Sequence, residues 1–410
     1  MKKFRFVLLG SGVAAACAVK ELVQRKVEPG SVAIVTADDH LPYDRPPLSK
    51  GFLLGEKAPE DILFENLSFY NDHGIEVRLG QPVESLDFDE KKLDCAPGGE
   101  VGYDQLLIAT GSKVRRLEVS GGDLAEIYYL RSISDAQRLR NRIERGGSAA
   151  VIGSGFIGME VASVMARKGV QATMIYPDER VWKKFFTPEM SAFFQKYFTD
   201  RGVKFMPNER VKGFLGPGKV ERVHLESGRE VEADFVVVGV GVTPATDLFT
   251  GTSLEINPQG VVVNEFLQTN LPDVWAAGDV ACYPDLVFQK RRRLDHWDNA
   301  VEQGKLAARN MTGAREVFVH VPYFFSDVFD LSYEFWGDIR EHDQVIYRGD
   351  VGTSSFSAWW LKEQRLQAAF VLNRPDEERE LAPKWIQDRR VLDPNILRDL
   401  SRSLRQLEAA

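Results

Sequence analysis

Two glycine clusters are the residues whose type and spacing could do chemistry. One, Gly10–Ala15 with the sequence GSGVAA, follows the apolar run Phe6–Leu9, and the other, Gly153–Gly158 with the sequence GSGFIG, follows Ala149–Ile152. In the pattern G-x-G-x-x-G/A the glycines permit a tight turn and let the backbone approach a pyrophosphate, which lies at the positive end of the next helix. Two such clusters predict two bound dinucleotides. Such a pair usually means that hydride passes from a nicotinamide to a flavin, so the chain is predicted to be an enzyme.

The segments around both clusters have the pattern of the βαβ units that would position them. A predicted helix to about Val23 and a predicted strand, Ser31–Val35, continue the first unit, and the predicted strand Gln171–Ile175 continues the second. The apolar runs Asp104–Gly111 and Val274–Asp279 each end in a glycine turn, as buried strands of such a fold do.

From about Tyr323 the sequence changes to aromatic, alternating segments. Strands are predicted over 332–336, 344–347, 356–361 and 366–372, followed by charged helices. The predicted fold class is therefore α/β, with two Rossmann-like dinucleotide-binding domains and a small α+β C-terminal domain.

Composition restricts the class of partner. The 410 residues carry a net charge of −8, whereas a nucleic-acid-binding surface is normally basic. The basic run Lys290, Arg291, Arg292 and Arg293 is the local exception, and it is interpreted either as a solvated loop or as a docking patch for an acidic partner.

The N-terminus resembles a signal peptide, because Lys2-Lys3 precedes an apolar stretch that reaches Cys17. The same residues complete the first glycine cluster and its helix, so cleavage there would destroy a nucleotide site. Later apolar runs are shorter than the ~18 residues that span a bilayer. We expect a cytoplasmic protein that does not bind membranes.

The three cysteines, Cys17, Cys95 and Cys282, are too scattered in sequence to form a C-x-x-C pair. Neither a metal site nor a redox disulfide is indicated. Electrons that reach a flavin therefore have no dithiol to go to.

In this order the motifs resemble the two-dinucleotide flavoprotein reductases, and within them the ferredoxin/rubredoxin reductase branch with monodehydroascorbate reductase and the apoptosis-inducing-factor flavoproteins. The resemblance runs nearly end to end. The segments that carry it are Pro42–Lys50, Ala109–Gly111, Tyr129–Arg131, Gly155–Glu160, Gly278–Asp279 and Pro322–Asp327. It implies an FAD domain formed by 1–115 and 245–320, an NAD(H) domain at 116–244, and a C-terminal domain at 321–410.

The first glycine cluster and the resemblance together imply a set of FAD contacts. They are Gly10, Gly12, Ala14, Ala15, Asp38, Arg45, Lys50, Val83, Ala109, Thr110, Gly111, Arg131, Asp279, His296, Trp297 and Phe325. Arg45 and Arg131 match arginines that contact the FAD, where a guanidinium can bind phosphate with two hydrogen bonds. Asp279 matches the aspartate that hydrogen-bonds the ribityl chain. Relatives often have an acidic residue for the adenosine ribose where this chain has Ala37, so Asp38 is the candidate.

The catalytic residues implied by the resemblance are Lys50, which matches a lysine near flavin N5, and Glu160, which matches its glutamate partner. An ammonium there stabilises negative charge on the flavin, and the carboxylate keeps the ammonium in place. The implied NAD(H) contacts are Gly153, Gly155, Phe156, Ile157, Gly158, Glu160, Tyr176, Asp178 and Gly241. Because Asp178 or Glu179 would repel a 2′-phosphate, NADH is favoured over NADPH, with Arg180 as the opposing charge.

The predicted function is hydride transfer from NADH to FAD, followed by single-electron transfer to a small iron–sulfur carrier, ferredoxin or rubredoxin. Lys290–Arg293 is the predicted docking patch for this carrier, and a homodimer is compatible with the prediction. One alternative is reduction of an organic radical or quinone such as monodehydroascorbate. The plant-type ascorbate enzymes carry arginines where this chain has Val301 and Asp327, which weakens that alternative. Another is an NADH-responsive flavoprotein with slow turnover, like the apoptosis-factor group.

Overall fold

The computed structural model describes residues 1–407. The strands are β1 Lys2–Leu9, β2 Val32–Val35, β3 Glu76–Arg78, β4 Val83–Asp87, β5 Lys92–Cys95, β6 Gly99–Ile108, β7 Ser112–Val114, β8 Ile127–Tyr128, β9 Ser148–Ile152, β10 Gln171–Ile175, β11 Lys204–Met206, β12 Val211–Leu215, β13 Arg222–Leu225, β14 Glu230–Glu232, β15 Phe235–Val238, β16 Val242–Pro244, β17 Ile256–Asn257, β18 Gly260–Val262, β19 Val274–Ala276, β20 Ala281–Asp285, β21 Lys290–Arg292, β22 Tyr323–Val328, β23 Leu331–Gly337, β24 Gln344–Asp350, β25 Ser355–Lys362 and β26 Arg365–Leu372.

The α-helices are α1 Val13–Gln24, α2 Gly51–Leu54, α3 Leu67–Asp72, α4 Ile133–Ile143, α5 Phe156–Arg167, α6 Pro188–Thr199, α7 Trp297–Met311, α8 Asp376–Gln387 and α9 Pro394–Arg398. Short 3₁₀ turns lie at Pro46–Ser49, Pro59–Ile62, Asp247–Phe249 and Leu404–Leu407. Within residues 1–407, every helix is too short or too polar to cross a membrane.

The chain divides into two compact units, each built from separated segments. The first unit consists of Met1–Arg45, Pro59–Lys113 and Val242–Pro322, and the second of Pro46–Ala58, Val114–Gly241 and the chain from Tyr323 onward. The domain boundaries expected from the sequence stay a prediction, but the short segment Pro46–Ala58 belongs to the compact unit that contains the second glycine cluster.

The main sheet of the first unit has the strand order β3-β2-β1-β6-β5-β4, with β19 also paired to β6. Its apolar strands β1, β2, β6 and β19 run parallel, as expected of strands covered on both faces. Leu9 pairs with both Val35 and Ile108, so these strands end at one edge of the sheet, immediately before the first glycine turn.

The second unit repeats this arrangement in a parallel sheet of order β11-β10-β9-β15-β8. Ile152 pairs with Ile175 and with Val238, which again brings strand ends together just before a glycine turn. The antiparallel sheet β12-β13-β14 follows β11.

The C-terminal part of the second unit is an antiparallel sheet of order β22-β23-β26-β25-β24, completed by α8 and α9. Its inward aromatic side chains share a core with α6: the ring of Tyr333 lies 5.3 Å from Phe194, and that of Phe370 lies 5.2 Å from Phe186. The predicted strands and the predicted α/β fold class with an α+β C-terminal part therefore agree with the structure.

Candidate functional site

The first glycine turn joins β1 to α1. Gly10 has φ +112°, and a Cβ there would lie 2.3 Å from the carbonyl oxygen of Ala109, so only glycine fits. Gly12 is the N-terminal cap of α1 and has no side-chain oxygen to cap the helix. The first N–H groups of α1 thus face the turn, and the guanidinium of Arg45 lies 4.0 Å from the position of a Cβ on Gly12. A positive helix end beside an arginine fits a bound diphosphate.

The second glycine turn has the same construction. Gly153 has φ +107°, and a Cβ there would lie 2.4 Å from the carbonyl oxygen of Gly239, while one on Gly158 would lie 2.8 Å from that of Gly153. Gly155 differs, because a Cβ on it would meet no atom of the described chain within 4 Å. Packing therefore explains Gly153 and Gly158, whereas Gly155 leaves room beside the N-terminus of α5 that fits a second dinucleotide.

Ala14 and Ala15, at the end of the first glycine cluster, pack α1 against its neighbours. Ala14 lies against α7, where a Cβ on Gly304 would lie 2.2 Å from the Ala14 carbonyl oxygen. Ala15 is fully buried in the core. On α5, by contrast, Phe156 is half-buried and Ile157 is 44% exposed, so the start of this helix remains accessible.

Asp38 is engaged by its own turn at the end of β2. Its carboxylate accepts hydrogen bonds from the Tyr43 hydroxyl at 2.9 Å and from the backbone N–H of His40 at 3.1 Å. The Asp38 carboxylate therefore shapes the turn, and its contact with a ribose stays a prediction. Val83 is half-buried at the start of β4 and packs against the core of the first unit.

Asp279 follows the turn at the end of β19. Gly278 has φ +81°, and its N–H donates to Gln303 Oε1 at 2.8 Å, which fixes the turn to α7. The Ser112 hydroxyl donates to Asp279 Oδ2 at 3.0 Å. Thr110, between the buried Ala109 and Gly111 (φ +70°), donates its hydroxyl to the carbonyl of Ala245 at 2.9 Å. Ser112 and Gln303, which bond to Asp279 and Gly278, are two side chains that sequence analysis did not single out.

His296 and Trp297 mark the start of α7. His296 is the N-terminal cap residue, and the Trp297 indole N–H donates to Asp44 Oδ1 at 2.5 Å. This bond fixes the start of α7 to the segment Pro42–Lys50, and Asp44 is a contact that the sequence analysis missed.

The basic run Lys290–Arg293 is not a uniform surface patch. Arg292 is 3% exposed and pairs with the buried Asp285 at 3.0 Å, so it cannot belong to a docking surface, which corrects that part of the prediction. Arg293 is half-buried and bonds to Asp295 and to the Asp279 carbonyl, while Arg291 is exposed and donates to two backbone carbonyls.

Lys50 and Glu160 meet in the second unit. Lys50 Nζ lies 2.9 Å from Glu160 Oε1, and the two side chains are only 16% and 4% exposed. Two serines that the sequence analysis did not single out complete the contacts of the carboxylate: the Ser326 hydroxyl donates to Oε1 at 2.5 Å, and the Ser49 hydroxyl donates to Oε2. Both serines lie in motifs that carry the family resemblance, but only the fold brings them to Glu160.

Two other residues assigned to FAD also belong to the second unit. The Phe325 ring centroid lies 5.6 Å from Lys50 Nζ. Arg131 directly precedes the capping box of α4, formed by Ser132 and Asp135, and its backbone N–H donates to Asp135 Oδ2 at 3.2 Å. The predicted FAD contacts are therefore divided between the two units.

The strand end after β10 carries the residues assigned to the ribose of NAD(H). Tyr176 is 1% exposed, and burial, with the nearby Asp178 carboxylate, raises its pKa to about 12. Its ring packs in the core of the second unit, and the contact of Tyr176 with NAD(H) stays a prediction. Asp178 is half-buried, and Gly241, with φ +101°, follows β15.

Arg180 is occupied by neighbouring groups. Its guanidinium donates to Glu179 Oε1 at 2.6 Å and, more weakly, to the carbonyls of Lys183 and Phe186 at 3.4 Å. Glu179 also lies 3.5 Å from Lys183 Nζ. Arg180 and Lys183 therefore share one carboxylate, that of Glu179.

All three cysteines are buried and reduced. Burial raises the pKa of the Cys17 thiol to about 11, which disfavours the reactive thiolate.

Comparison with known proteins identifies the family. A family model described as Pyridine nucleotide-disulphide oxidoreductase matches residues 4–304, and a second, described as Reductase C-terminal, matches residues 323–408. This chain belongs to the pyridine nucleotide-disulphide oxidoreductase family.

Individual proteins of known function or structure are similar to this chain over nearly its whole length. Monodehydroascorbate reductase 1, peroxisomal, of Arabidopsis thaliana is 35% identical over 412 residues, covering 93% of this chain and 94% of the relative. The ferredoxin reductase for the CYP199A2 system of Rhodopseudomonas palustris is similar in structure, with TM-score 0.93, 31% identity and coverage of 98% and 99%. Putidaredoxin reductase in its covalent complex with putidaredoxin has TM-score 0.94, 28% identity and coverage of 100% and 99%.

These findings confirm the resemblance and the fold class that the sequence predicted. The oxidoreductase uses FAD and NAD(H), and its two glycine turns fit two dinucleotides. FAD supplies the ability to accept a hydride and to release electrons singly.

Proposed function

We propose that this oxidoreductase transfers electrons from NADH, through bound FAD, to a small iron–sulfur protein. One NADH reduces two one-electron carriers, yielding NAD⁺ and one proton. The observation that carries the proposal is the pair of glycine turns at uncapped helix N-termini in a chain whose only cysteines are three separate, buried thiols. Such a protein can bind both dinucleotides but has no dithiol to receive the electrons.

In this proposal the glycine turn of Gly153–Gly158 holds the pyrophosphate of NAD(H), and the turn of Gly10–Ala15 with Arg45 holds that of FAD. Lys50 stabilises the negative charge that the flavin gains, and Glu160 holds the Lys50 ammonium in position. Their separation of 2.9 Å in a poorly exposed place supports these roles, because charge is felt more strongly where water is excluded.

NADH is the proposed nicotinamide donor. A 2′-phosphate would meet Asp178 and Glu179, while the nearby cations are already paired, since Arg180 and Lys183 both contact Glu179. Asp178 and Glu179 therefore repel the extra phosphate, and Glu179 competes with it for Arg180 and Lys183.

The proposed acceptor is a ferredoxin-like carrier, supported by the two ferredoxin-type reductases that this chain resembles over nearly its full length. We propose that Lys290 and Arg291 dock the carrier. Arg292 is buried, and Arg293 is half-buried and paired with Asp295. A homodimer and a cytoplasmic location stay predictions; the Arabidopsis relative is named as peroxisomal.

Reduction of monodehydroascorbate is the second candidate, favoured by the 35% identity to a monodehydroascorbate reductase. Against it, this chain has the buried Val301 and the exposed, acidic Asp327 at the two positions where, by the resemblance, the plant-type ascorbate enzymes carry arginines. It therefore lacks the positive charge that those arginines would offer an anionic radical.

The test is NADH-driven turnover of the purified flavoprotein with two acceptors side by side: a [2Fe–2S] ferredoxin coupled to cytochrome c, and enzymatically generated monodehydroascorbate. We expect fast turnover with the ferredoxin, falling as ionic strength rises because opposite charges steer the encounter. Preference for the radical would contradict the proposal. Slow turnover with both, while NADH still bleaches the flavin, would instead support an NADH-responsive protein.

A further inference from the structure

The carboxylate of Glu160 is contacted by three side-chain donors from two other segments of the chain. Ser326 Oγ and Lys50 Nζ reach Oε1 at 2.5 Å and 2.9 Å, and Ser49 Oγ donates to Oε2. Glu160 lies on α5, and Ser326 lies on β22 of the C-terminal sheet. Ser49 is the last residue of the 3₁₀ turn Pro46–Ser49, and Lys50 follows it. All four belong to the second unit.

Burial makes these donors necessary. Glu160 is 4% exposed, Ser49 2% and Ser326 0%, so water cannot replace a missing donor easily. An ionised carboxylate out of water is costly unless its oxygens are hydrogen-bonded and its charge is paired. Lys50 pairs with the charge at Oε1, Ser49 donates to Oε2, and Ser326 donates to the second lone pair of Oε1.

Ser326 is held rigidly where it meets Glu160. It pairs across β22 and β23 with Tyr333, whose fully buried ring packs 5.3 Å from both Phe194 and Phe370. The hydroxyl of Ser326 is therefore positioned by the sheet and its aromatic core rather than by a mobile loop.

We infer that Ser326 and Ser49 are positioning residues for the reaction: they fix the carboxylate of Glu160, and through it the ammonium of Lys50. The C-terminal sheet thereby acts on the reacting centre through Glu160 and Lys50. This inference rests on the proposed function for the role of Lys50 toward the flavin. Without the two hydroxyls, Glu160 draws more strongly on Lys50, and less of the ammonium charge remains for the flavin.

The experiment is a double-mutant cycle on the holoenzyme with Ser326→Ala, Glu160→Gln and the double variant. One measurement is the midpoint potential of bound FAD, taken by dye-coupled chemical reduction without NADH, and the other is the rate at which NADH reduces the flavin. We expect Ser326→Ala to lower the potential and to slow reduction about tenfold, the scale of a lost hydrogen bond to a charged group. In the Glu160→Gln background it should have no further effect, because Ser326 acts through Glu160.

Ser357→Ala is the matched control, since Ser357 is also fully buried in the C-terminal sheet but accepts from Trp359 Nε1 at 2.8 Å. It should leave both measurements unchanged. If Ser326→Ala does not fold, Ser49→Ala carries the same test from another segment. Additive effects of Ser326→Ala and Glu160→Gln, an unchanged potential, or an equal effect of Ser357→Ala would overturn the inference. Neither measurement needs an electron acceptor, so a wrong acceptor in the proposed function would leave the result readable.

Discussion

The pair of Lys50 and Glu160 shows what a residue can and cannot reveal alone. Family motifs select both side chains from the sequence, but their mutual distance of 2.9 Å and low exposure come from the fold. The neighbours that complete the site, Ser49 and Ser326, are ordinary serines whose contact with Glu160 no local pattern indicates. At this scale the chemistry depends on charge placed where water is scarce.

Replacing Lys50 by Ala should leave FAD bound, because the proposed FAD-binding turn and Arg45 lie in the other unit. Reduction of the flavin by NADH should slow by roughly ten- to a hundredfold, as expected when a preorganised charge is removed. Stopped-flow absorbance of the flavin measures this rate. Lys57→Ala removes an exposed lysine of the same segment and should leave this rate unchanged. If NADH reduces the flavin of Lys50→Ala as fast as that of Lys57→Ala, Lys50 has no part in the mechanism.

Replacing Glu179 by Gln should improve the use of NADPH. The change releases Arg180 and Lys183 from their shared carboxylate and removes one charge that repels a 2′-phosphate. We expect the ratio of kcat/KM for NADPH over NADH to rise roughly tenfold, since about 1.4 kcal/mol of differential binding has that effect. Glu232→Gln, which removes an exposed charge on β14, is the control. An unchanged ratio would mean that the ribose lies elsewhere.

At the scale of elements, both dinucleotide turns depend on the meeting of parallel strand ends. Leu9 and Ile152 each lie between two parallel partners. The first glycine of each turn packs against the carbonyl of the residue just after a neighbouring strand, Ala109 or Gly239. Sequence periodicity predicts the strand and the helix of each unit. Only the register explains why one glycine of the pattern is needed for packing and the next for the ligand.

Gly153→Ala and Gly155→Ala should therefore have different effects. A Cβ on Gly153 would lie 2.4 Å from the Gly239 oxygen at φ +107°, so this variant should lose stability and show a lower Tm. A Cβ on Gly155 meets no described atom within 4 Å, so that variant should keep its Tm but bind NADH about tenfold more weakly, by obstructing the phosphate.

Thermal unfolding and NADH titration distinguish the two variants. Equal losses of stability would contradict the assignment of Gly155 to the ligand, and so would full NADH affinity in Gly155→Ala.

At the scale of the whole molecule, segments distant in sequence form each compact unit. The second unit joins Pro46–Ala58, the second βαβ region and the C-terminal sheet. Its last turns are held by Arg348, which is 2% exposed and lies 3.3 Å from the fully buried Glu378. The guanidinium of Arg348 also donates to the carbonyl oxygens of Leu397, Asp399 and Arg402, so one buried side chain ties the tail to β24.

Replacing Arg348 by Met should destabilise the second unit by about 3 kcal/mol, because the carbonyls of Leu397, Asp399 and Arg402 lose a charged donor and the buried Glu378 keeps only its contact with Arg374 at 2.9 Å. Chemical denaturation monitored by tryptophan fluorescence measures the loss. Arg402→Met removes an exposed ion pair with Asp399 and should have a much smaller effect on stability, because solvent screens such a pair. Equal stability of the two variants would show that the tail is not held by Arg348.

The sequence by itself determined the parts of this protein that depend on local pattern. Glycine spacing after apolar runs predicted both dinucleotide turns, alternation predicted the strands of the C-terminal sheet, and the scattered cysteines argued against a dithiol. Such features follow from backbone sterics and periodicity over a few residues.

The tertiary structure alone decided what depends on burial and on contacts between distant segments. It placed Pro46–Ala58 with the second glycine turn and brought Ser49 and Ser326 to Glu160. It also buried the ring of Tyr176 and the side chain of Arg292, which the sequence had assigned to a docking patch. The physical reason is that a basic run or a tyrosine looks the same in sequence whether it is solvated or packed. Only the completed core determines which charges and rings meet water.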